Sequence, residues 1–552
     1  MCHAVSRLFH NDELAGQYAT RLHNLAASSQ CNNMNIGTRV PTEILCEIFL
    51  LLRDKPIALH ELKNRSRFNE FPWAVGRVCR RWRSVFLSYP ALWSTLSIEE
   101  PRLNSIKRTS SVAYIAEMSR RTTIYLRRSG RHPLTIIVRV SSVASYTAVW
   151  SMLLLRSDLW KKADLWISNG YMLYGLIRRR GRMPILESLK ITVVNFRCHK
   201  GLGAFDIAPR LTELELVHRE GIKSGKLGRW SFPWAQLTKL KMRVPYLDFA
   251  HISALRTFLL QVQNLEELRF LIDDVKEEFG IFKCPSVRFP RLRLLEISVV
   301  FPGVFSWFEA PVLEHLLVHD CFDLDTYALR DYKEELSSFL HRSSCHVRHL
   351  TLQSCDIDVA EDIMVSLASV EELCIKEAPE AGLGILLSCI IRGVAAPDGV
   401  VCLPNLRVLR VPCCLGQFGY AIIDADSLLK ARNKESGSVP ATSSTNIVPL
   451  EKVVVTVDWK HCWSSGCNVF DKGSTREIDR VLDIMCRWPS FSVIHLNNDR
   501  RNLVLTLHVL VAGALVDLTI RYPRDPEVYQ YYSRESRRHY NTLERKRLAV
   551  NS

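Results

Sequence analysis

The sequence holds 17 cysteines and 17 histidines, the residue types from which a metal site or a nucleophilic centre would be built. A structural zinc site needs thiolates or imidazoles in paired halves, as in CxxC followed by a second CxxC. No CxxC occurs here. The nearest groupings are His461-Cys462 with Cys467, and Cys413-Cys414, and neither has a second half at ligand spacing. "GIKSGKL" (221–227) approaches a phosphate-binding loop, but it has one residue too few between its glycines. It also carries Leu227 where a magnesium-binding hydroxyl is required. "GLG" at 201–203 and 382–384 lacks a third glycine in register, and neither HExxH nor GxSxG appears. The reading is a non-catalytic chain, not an enzyme, with no metal and no cofactor.

Three cysteines fit a structural pattern instead. From about residue 184 the chain repeats an apolar residue, two free positions, Leu in most copies, one free position and an apolar residue. Full copies are "LESLKI" at Leu186, "LTELEL" at Leu211, "LTKLKM" at Leu237, "LEELRF" at Leu265, "LRLLEI" at Leu292, "LEHLLV" at Leu313, "VRHLTL" at Val347, "VEELCI" at Val370 and "LRVLRV" at Leu406. The first four gaps are 25, 26, 28 and 27 residues, and later gaps of 21, 34, 23 and 36 are less regular. Weaker copies follow: "LEKVVV" at Leu450, "FSVIHL" at Phe491 and "LVDLTI" at Leu515. This is the leucine-rich-repeat pattern. Its last two apolar positions alternate on a short strand and face a core that only stacked units can close. Proline stands two residues before five copies, at Pro184, Pro209, Pro290, Pro311 and Pro404. Cys321, Cys355 and Cys414 each fall three residues after a copy, where a small buried residue closes the turn, so they read as inert rather than metal-binding.

Ahead of the repeats, "VPTEILCEIFLLLRD" (40–54) predicts a helix. Ile44, Leu45, Ile48, Phe49 and Leu52 share one face, Pro41 suits its start and Thr42 its N-cap. "FPWAVGRVCRRWRSVFLSYP" predicts a second helix with Val75, Val78, Cys79, Trp82, Val85 and Phe86 on one face, closed by Pro90. The plain reading is that the two faces pack on each other.

"VPTEILCEIF", then "VCRRWR", then "PALW" resembles an F-box over residues 39–97. The family pattern runs LPxEILxxIF, a short middle, then VCRxWR. Here Val40 replaces the usual Leu, and the middle is about a dozen residues longer than usual. The resemblance implies a helical domain that docks on a Skp-type adaptor and, through it, on cullin and RING subunits. By similarity the contacts fall on Pro41, Ile44, Leu45, Ile48, Phe49, Val78, Cys79 and Trp82, in a helix-in-groove interface with Trp82 as the aromatic anchor.

The organisation expected is α/β: a small N-terminal helical F-box followed by an irregular leucine-rich-repeat solenoid, a horseshoe. Residues 1–38 are an extension with a possible helix over 11–28, and 39–97 the F-box. Residues 98–183 hold a connecting helix and atypical first repeats or a cap. The solenoid spans 184–520, with a disordered polar insert at 431–449, and 521–552 form a basic tail. Function would be that of the substrate receptor of an SCF-type ubiquitin ligase, its repeats recruiting a protein target. The alternative is a non-catalytic repeat scaffold that holds the adaptor outside a cullin ligase, or does not bind it.

The net charge of +16 invites a nucleic-acid reading. Residues 1–130 carry +9 and 521–552 carry +4, leaving +3 over the 390 between. So near-neutral a middle offers no obvious phosphate-binding stripe. "SRESRRHYNTLERKRL" reads as a solvated tail. The N-terminus has no secretory pattern, and the longest apolar run, "VLTLHVLVAGALVDLTI" from Val504, is broken by His508 and Asp517. The expectation is therefore a cytoplasmic or nuclear protein with no membrane contact.

Overall fold

The computed structural model describes residues 40–51, 75–99, 111–140, 143–168, 170–194, 203–218, 231–244, 257–272, 286–298, 302–319, 326–353, 357–376, 402–413, 448, 450–458, 490–498, 502–511 and 514–523. The 11–28 helix, the long middle of the F-box-like region, "GIKSGKL" and His461, Cys462 and Cys467 lie outside them, as do Cys321, Cys355, Cys414, nearly all of the polar insert and the tail beyond Pro523. Two compact units divide the chain. One comprises residues 1–268 with 272–277, the other residues 269–271 with 278–552.

The first unit opens with α1 (Thr42–Leu51), α2 (Val75–Val78) and α3 (Arg80–Ser88), then a 3-10 turn at Pro90–Trp93. The strands β1 (Thr95–Glu99), β2 (Leu134–Arg139), β3 (Trp160–Ile167), β4 (Ser188–Val193), β5 (Glu213–His218) and β6 (Lys239–Val244) follow, each parallel to the next. Three helices join the first four strands: α4 (Ser111–Ser129), α5 (Val143–Leu155) and α6 (Gly170–Ile177). Parallel strands require such crossovers, so each helix runs back against its strands. The parallel ladder thus begins at Thr95, and the stretch 98–183 contributes β2 and β3 to it in register. "HPLTIIVRV" carries β2, with Ile136 opposite Leu96 and Ala163, and Val138 opposite Ile98 and Leu165.

β7 (Glu267–Ile272) follows β6 in the chain. In the second unit the two-residue strands β8 (Val287–Arg288) and β10 (Phe308–Glu309) pair with each other, while β9 (Leu294–Ser298), β11 (His315–His319), β12 (His349–Gln353), β13 (Glu372–Lys376), β14 (Val408–Cys413) and β15 (Lys452–Asp458) form a second parallel series. Helices α7 (Thr326–Ser343) and α8 (Ile357–Ser366) are two of its crossovers. Leu295, Leu316, Leu350, Leu373, Leu409 and Val453 stack as one column across it. The series ends differently from its beginning. β18 (Ala514–Pro523) is parallel to β15, but β17 (Asn502–Val511) is antiparallel to β18, and β16 (Ser490–Asn498) antiparallel to β17. "FSVIHL" at Phe491 lies on β16 and is therefore not a copy of the parallel unit. Three residues separate β16 from β17, enough for a hairpin and far too few for a parallel crossover. The apolar run from Val504 falls on the antiparallel pair β17 and β18. β18 also takes in Arg521–Pro523, the first residues assigned to the tail.

Every apolar position of the nine full copies is buried, none more than 3% exposed. At roughly 1.5–3 kcal/mol for each such side chain withdrawn from water, these positions are the main cohesive contribution to the parallel series. The prolines gain a physical role. In Met183–Leu186, Ala208–Leu211, Phe289–Leu292, Ala310–Leu313 and Leu403–Leu406, the leucine N–H closes on the carbonyl three residues back, at 3.1 to 3.4 Å. Each proline is the second residue of that turn, where a fixed φ near −65° is already correct. The fold is thus mixed α/β on parallel strands, and among the described residues no helix is long and apolar enough to cross a membrane.

Candidate protein-docking surfaces

The first helix begins one residue earlier than its sequence suggested. The Leu45 N–H donates to the Pro41 carbonyl at 3.1 Å, so Pro41 rather than Thr42 occupies the cap. The second predicted helix is broken. Cys79 is extended (φ −159°, ψ 170°), and its Sγ accepts the Trp82 N–H at 3.4 Å, capping α3 in the manner of a serine. Arg83 Nε donates to the Gly76 carbonyl at 2.8 Å across the break, and Arg81 Nη2 reaches the Val40 carbonyl at 2.6 Å, holding α3 to the start of α1.

The eight residues assigned to the adaptor divide into two sets. Leu45, Ile48, Phe49 and Trp82 are buried within the chain, and Phe49 meets Trp82 edge to face at 5.4 Å between ring centres. Trp82 is 7% exposed, so it is first an internal anchor between α1 and α3. Pro41 and Ile44 are exposed, Ile44 by 50%, and Val78 and Cys79 are half-buried. Leu51, 64% exposed one turn beyond Ile48, and Leu87 were not singled out in the sequence. The helical period alone does not separate the two sets, because the face of α1 is wider than α3 can cover. Cys46 sits between them, its thiol pushed above its ordinary value by burial and by the adjacent Glu43 and Glu47.

Trp93 ties α3 to α4. Its indole N–H donates to the Phe86 carbonyl at 3.0 Å, its ring packs on Phe86 and Tyr125 at 4.9 Å each, and the Arg128 guanidinium lies over it at 4.4 Å. Burial pushes the Tyr125 phenol well above its usual range.

The second surface is the side of the strands away from the apolar columns. In the first unit Arg139 lies between Glu99 (3.6 Å) and Asp164 (2.7 Å), and Glu215 between Lys190 (2.9 Å) and Lys241 (3.6 Å), while Lys239 meets Glu267 at 2.8 Å. In the second, Glu296 takes Arg269 at 2.9 Å and His319 at 2.8 Å. Glu372 takes His349 at 3.2 Å and also pairs with Arg410. His315 stacks on His349 at 4.2 Å, 6° from parallel. Partial burial tends to raise the Glu372 carboxyl, but Arg410 and His349 outweigh it and hold the group below its usual range. The exposed pairs among these contribute about 0–1 kcal/mol each, so their main effect is to neutralise the face and fix its side chains, whereas Glu296 is itself buried.

Among the described residues no three His, Cys, Asp or Glu side chains are grouped to hold a metal ion. The described thiols are Cys46, Cys79, Cys345, Cys374 and Cys402. Burial pushes Cys345 up to about 11 and raises Cys374.

No family model matches the chain, and no curated protein matches it.

Proposed function

We propose that this chain is the substrate-receptor subunit of an SCF-type ubiquitin ligase. In this reading residues 39–97 are an F-box that docks on a Skp-type adaptor, and the parallel series are irregular leucine-rich-repeat solenoid whose open strand face receives a protein target. The observation that carries the reading is the helix pair. The residues matching the F-box pattern form two helices whose inner apolar side chains close a small core. Its outer ones, Ile44 and Leu51, are left half or more exposed beside Pro41. Such a face is completed by helices of another chain. The chain would break and form no bonds itself. It would raise the local concentration of a target lysine near a ubiquitin thioester held elsewhere in the ligase.

The docking set is accordingly narrower than the resemblance implied. Pro41, Ile44 and Leu51, with the half-buried Val78, are the direct contacts, while Leu45, Phe49 and Trp82 shape the helices that carry them. The test is affinity capture of the tagged full-length chain from cells, probing for adaptor and cullin. Recovery of both, lost in Ile44→Asp with Leu51→Asp, is the result expected. Adaptor without cullin would favour the scaffold reading, and neither protein would overturn the F-box assignment.

A further inference from the structure

A third surface lies in the first unit, at the edge where helices end and strands begin. Because β1 to β4 are parallel and adjacent, α4, α5 and α6 run side by side in one direction, and their C-terminal ends share that edge. The chain repeats itself there. "RRSGRHP" (127–133) leaves α4 and "RRRGRMP" (178–184) leaves α6. In each, a glycine takes the left-handed conformation that stops the helix, Gly130 at φ +57° and Gly181 at φ +72°. Between them Arg156, just past α5, donates its guanidinium to the Gly130 carbonyl and joins adjacent helix ends.

The overall charge balance hid this edge. Residues 131–182 hold nine Lys/Arg against two Asp/Glu, a net +7, while residues 183–520 carry −4. Arginines in the last turn of a helix are ordinary, because they favour the negative end of its dipole, an effect confined to that turn. That accounts for Arg127 and Arg128. It does not account for Arg131 and Arg182, which follow the glycine caps and are exposed.

The basic groups alternate with exposed apolar ones. Leu155, at the end of α5, is 62% exposed, and Ile207, whose Cδ1 lies 3.9 Å from where a Cβ on Gly181 would be, is 55% exposed. Tyr174 is 57% exposed and lies under the Arg178 guanidinium at 4.6 Å. Arg180 pairs with Asp206, an arginine–carboxylate contact of the type the edge would offer a ligand.

We infer that this edge is a docking site for an acidic peptide segment that carries apolar side chains, on a partner protein. Carboxylates match the arginines, whose planar guanidinium binds them through two parallel hydrogen bonds. The apolar side chains cover Leu155, Ile207 and Tyr174, which a sugar-phosphate backbone would leave in water. Three helices packed about 8–10 Å apart set an edge of about 20 Å. An extended chain rising about 3.3 Å per residue crosses it in about six residues. The inference does not rest on the F-box reading, since the edge lies outside residues 39–97.

The test uses fluorescein-labelled peptides of Glu-Glu-Leu repeats and of Glu-Glu-Ser repeats, and a single-stranded RNA of matched charge, with the full chain and anisotropy as readout. The Glu-Glu-Leu peptide is expected to bind best. Its affinity should fall about tenfold or more in Arg127→Glu/Arg131→Glu/Arg182→Glu, with the circular-dichroism spectrum of the folded chain retained. Leu155→Ser with Ile207→Ser should weaken this peptide and leave the Glu-Glu-Ser peptide unchanged. Failure of the Glu-Glu-Leu peptide to bind, equal binding by the triple variant, or equal or tighter binding of the serine peptide or of RNA would overturn the inference.

Discussion

The helix pair and the strand series use apolar residues in opposite ways. In the strands every apolar position of the repeat is buried, and the outward positions carry charges that neighbouring strands already match, as Glu215 is matched by Lys190 and Lys241. In α1 the inner half of the apolar face is spent on Trp82 and its neighbours, while Ile44 and Leu51 remain in water. A series of repeats supplies its own cover from the next repeat, and two short helices cannot. Large stability effects are therefore expected in the strands and on the inner face of α1, while changes on its outer face, at Ile44 and Leu51, should leave stability nearly unaltered.

The sharpest way to break this contrast is to charge a column position. Leu350→Asp, between Leu316 and Leu373, would bury a carboxylate without a partner, and a loss of about 4 kcal/mol or more is expected. The second unit should lose its cooperative melt, with chemical denaturation followed by circular dichroism as the check. An ordinary transition would mean that the column is not the core. Next is Phe49→Ala, expected to cost about 3–5 kcal/mol through the cavity left against Trp82. Hydrogen exchange should register that loss in α1 and α3 and leave the second unit's strands protected. Ile44→Asp, by contrast, should change stability by no more than about 0.5 kcal/mol, because the side chain is already in water. A large loss there would show that the chain itself covers this face.

How much of this was legible follows the same division. The strand columns could be read because the repeat fixes side-chain direction every second residue, and one strand's neighbours are the same pattern again. The strands between Thr95 and Ile167 were harder to read. Their copies lack the leading leucine, and β3 reaches its column with Ala163. The break at Cys79 was hidden because a cysteine at a core position of a helical pattern gives no hint that its sulfur caps a backbone N–H. The antiparallel end was missed for a related reason. "FSVIHL" satisfies the apolar spacing of a repeat, and spacing does not encode strand direction. On the helix face, the sequence marked an apolar stripe that omitted the exposed Leu51, and it did not show which of those residues the fold consumes, since that depends on how much of α1 a short α3 can reach.

The smallest expected effect concerns Glu372. Its carboxyl is held below its unfolded value, so its contribution is present at neutral pH and is lost as pH falls through the folded value. Glu372→Gln should melt slightly below wild type at pH 7. The gap should begin to narrow as pH falls below about 4.3, where the unfolded carboxylate protonates, and should close only below the lower folded value. A gap that persists at low pH would assign the difference to shape rather than charge.

The central claim is that α1 and α3 present an incomplete apolar face which an adaptor completes. Hydrogen exchange of the full-length chain, with and without a purified Skp-type adaptor, tests it most directly. The account predicts that amides of residues 42–51 and 80–88 slow markedly on addition of the adaptor while those of β9 to β13 do not change, and that Ile44→Asp abolishes the slowing. Unchanged exchange in α1 and α3 at saturating adaptor would contradict it.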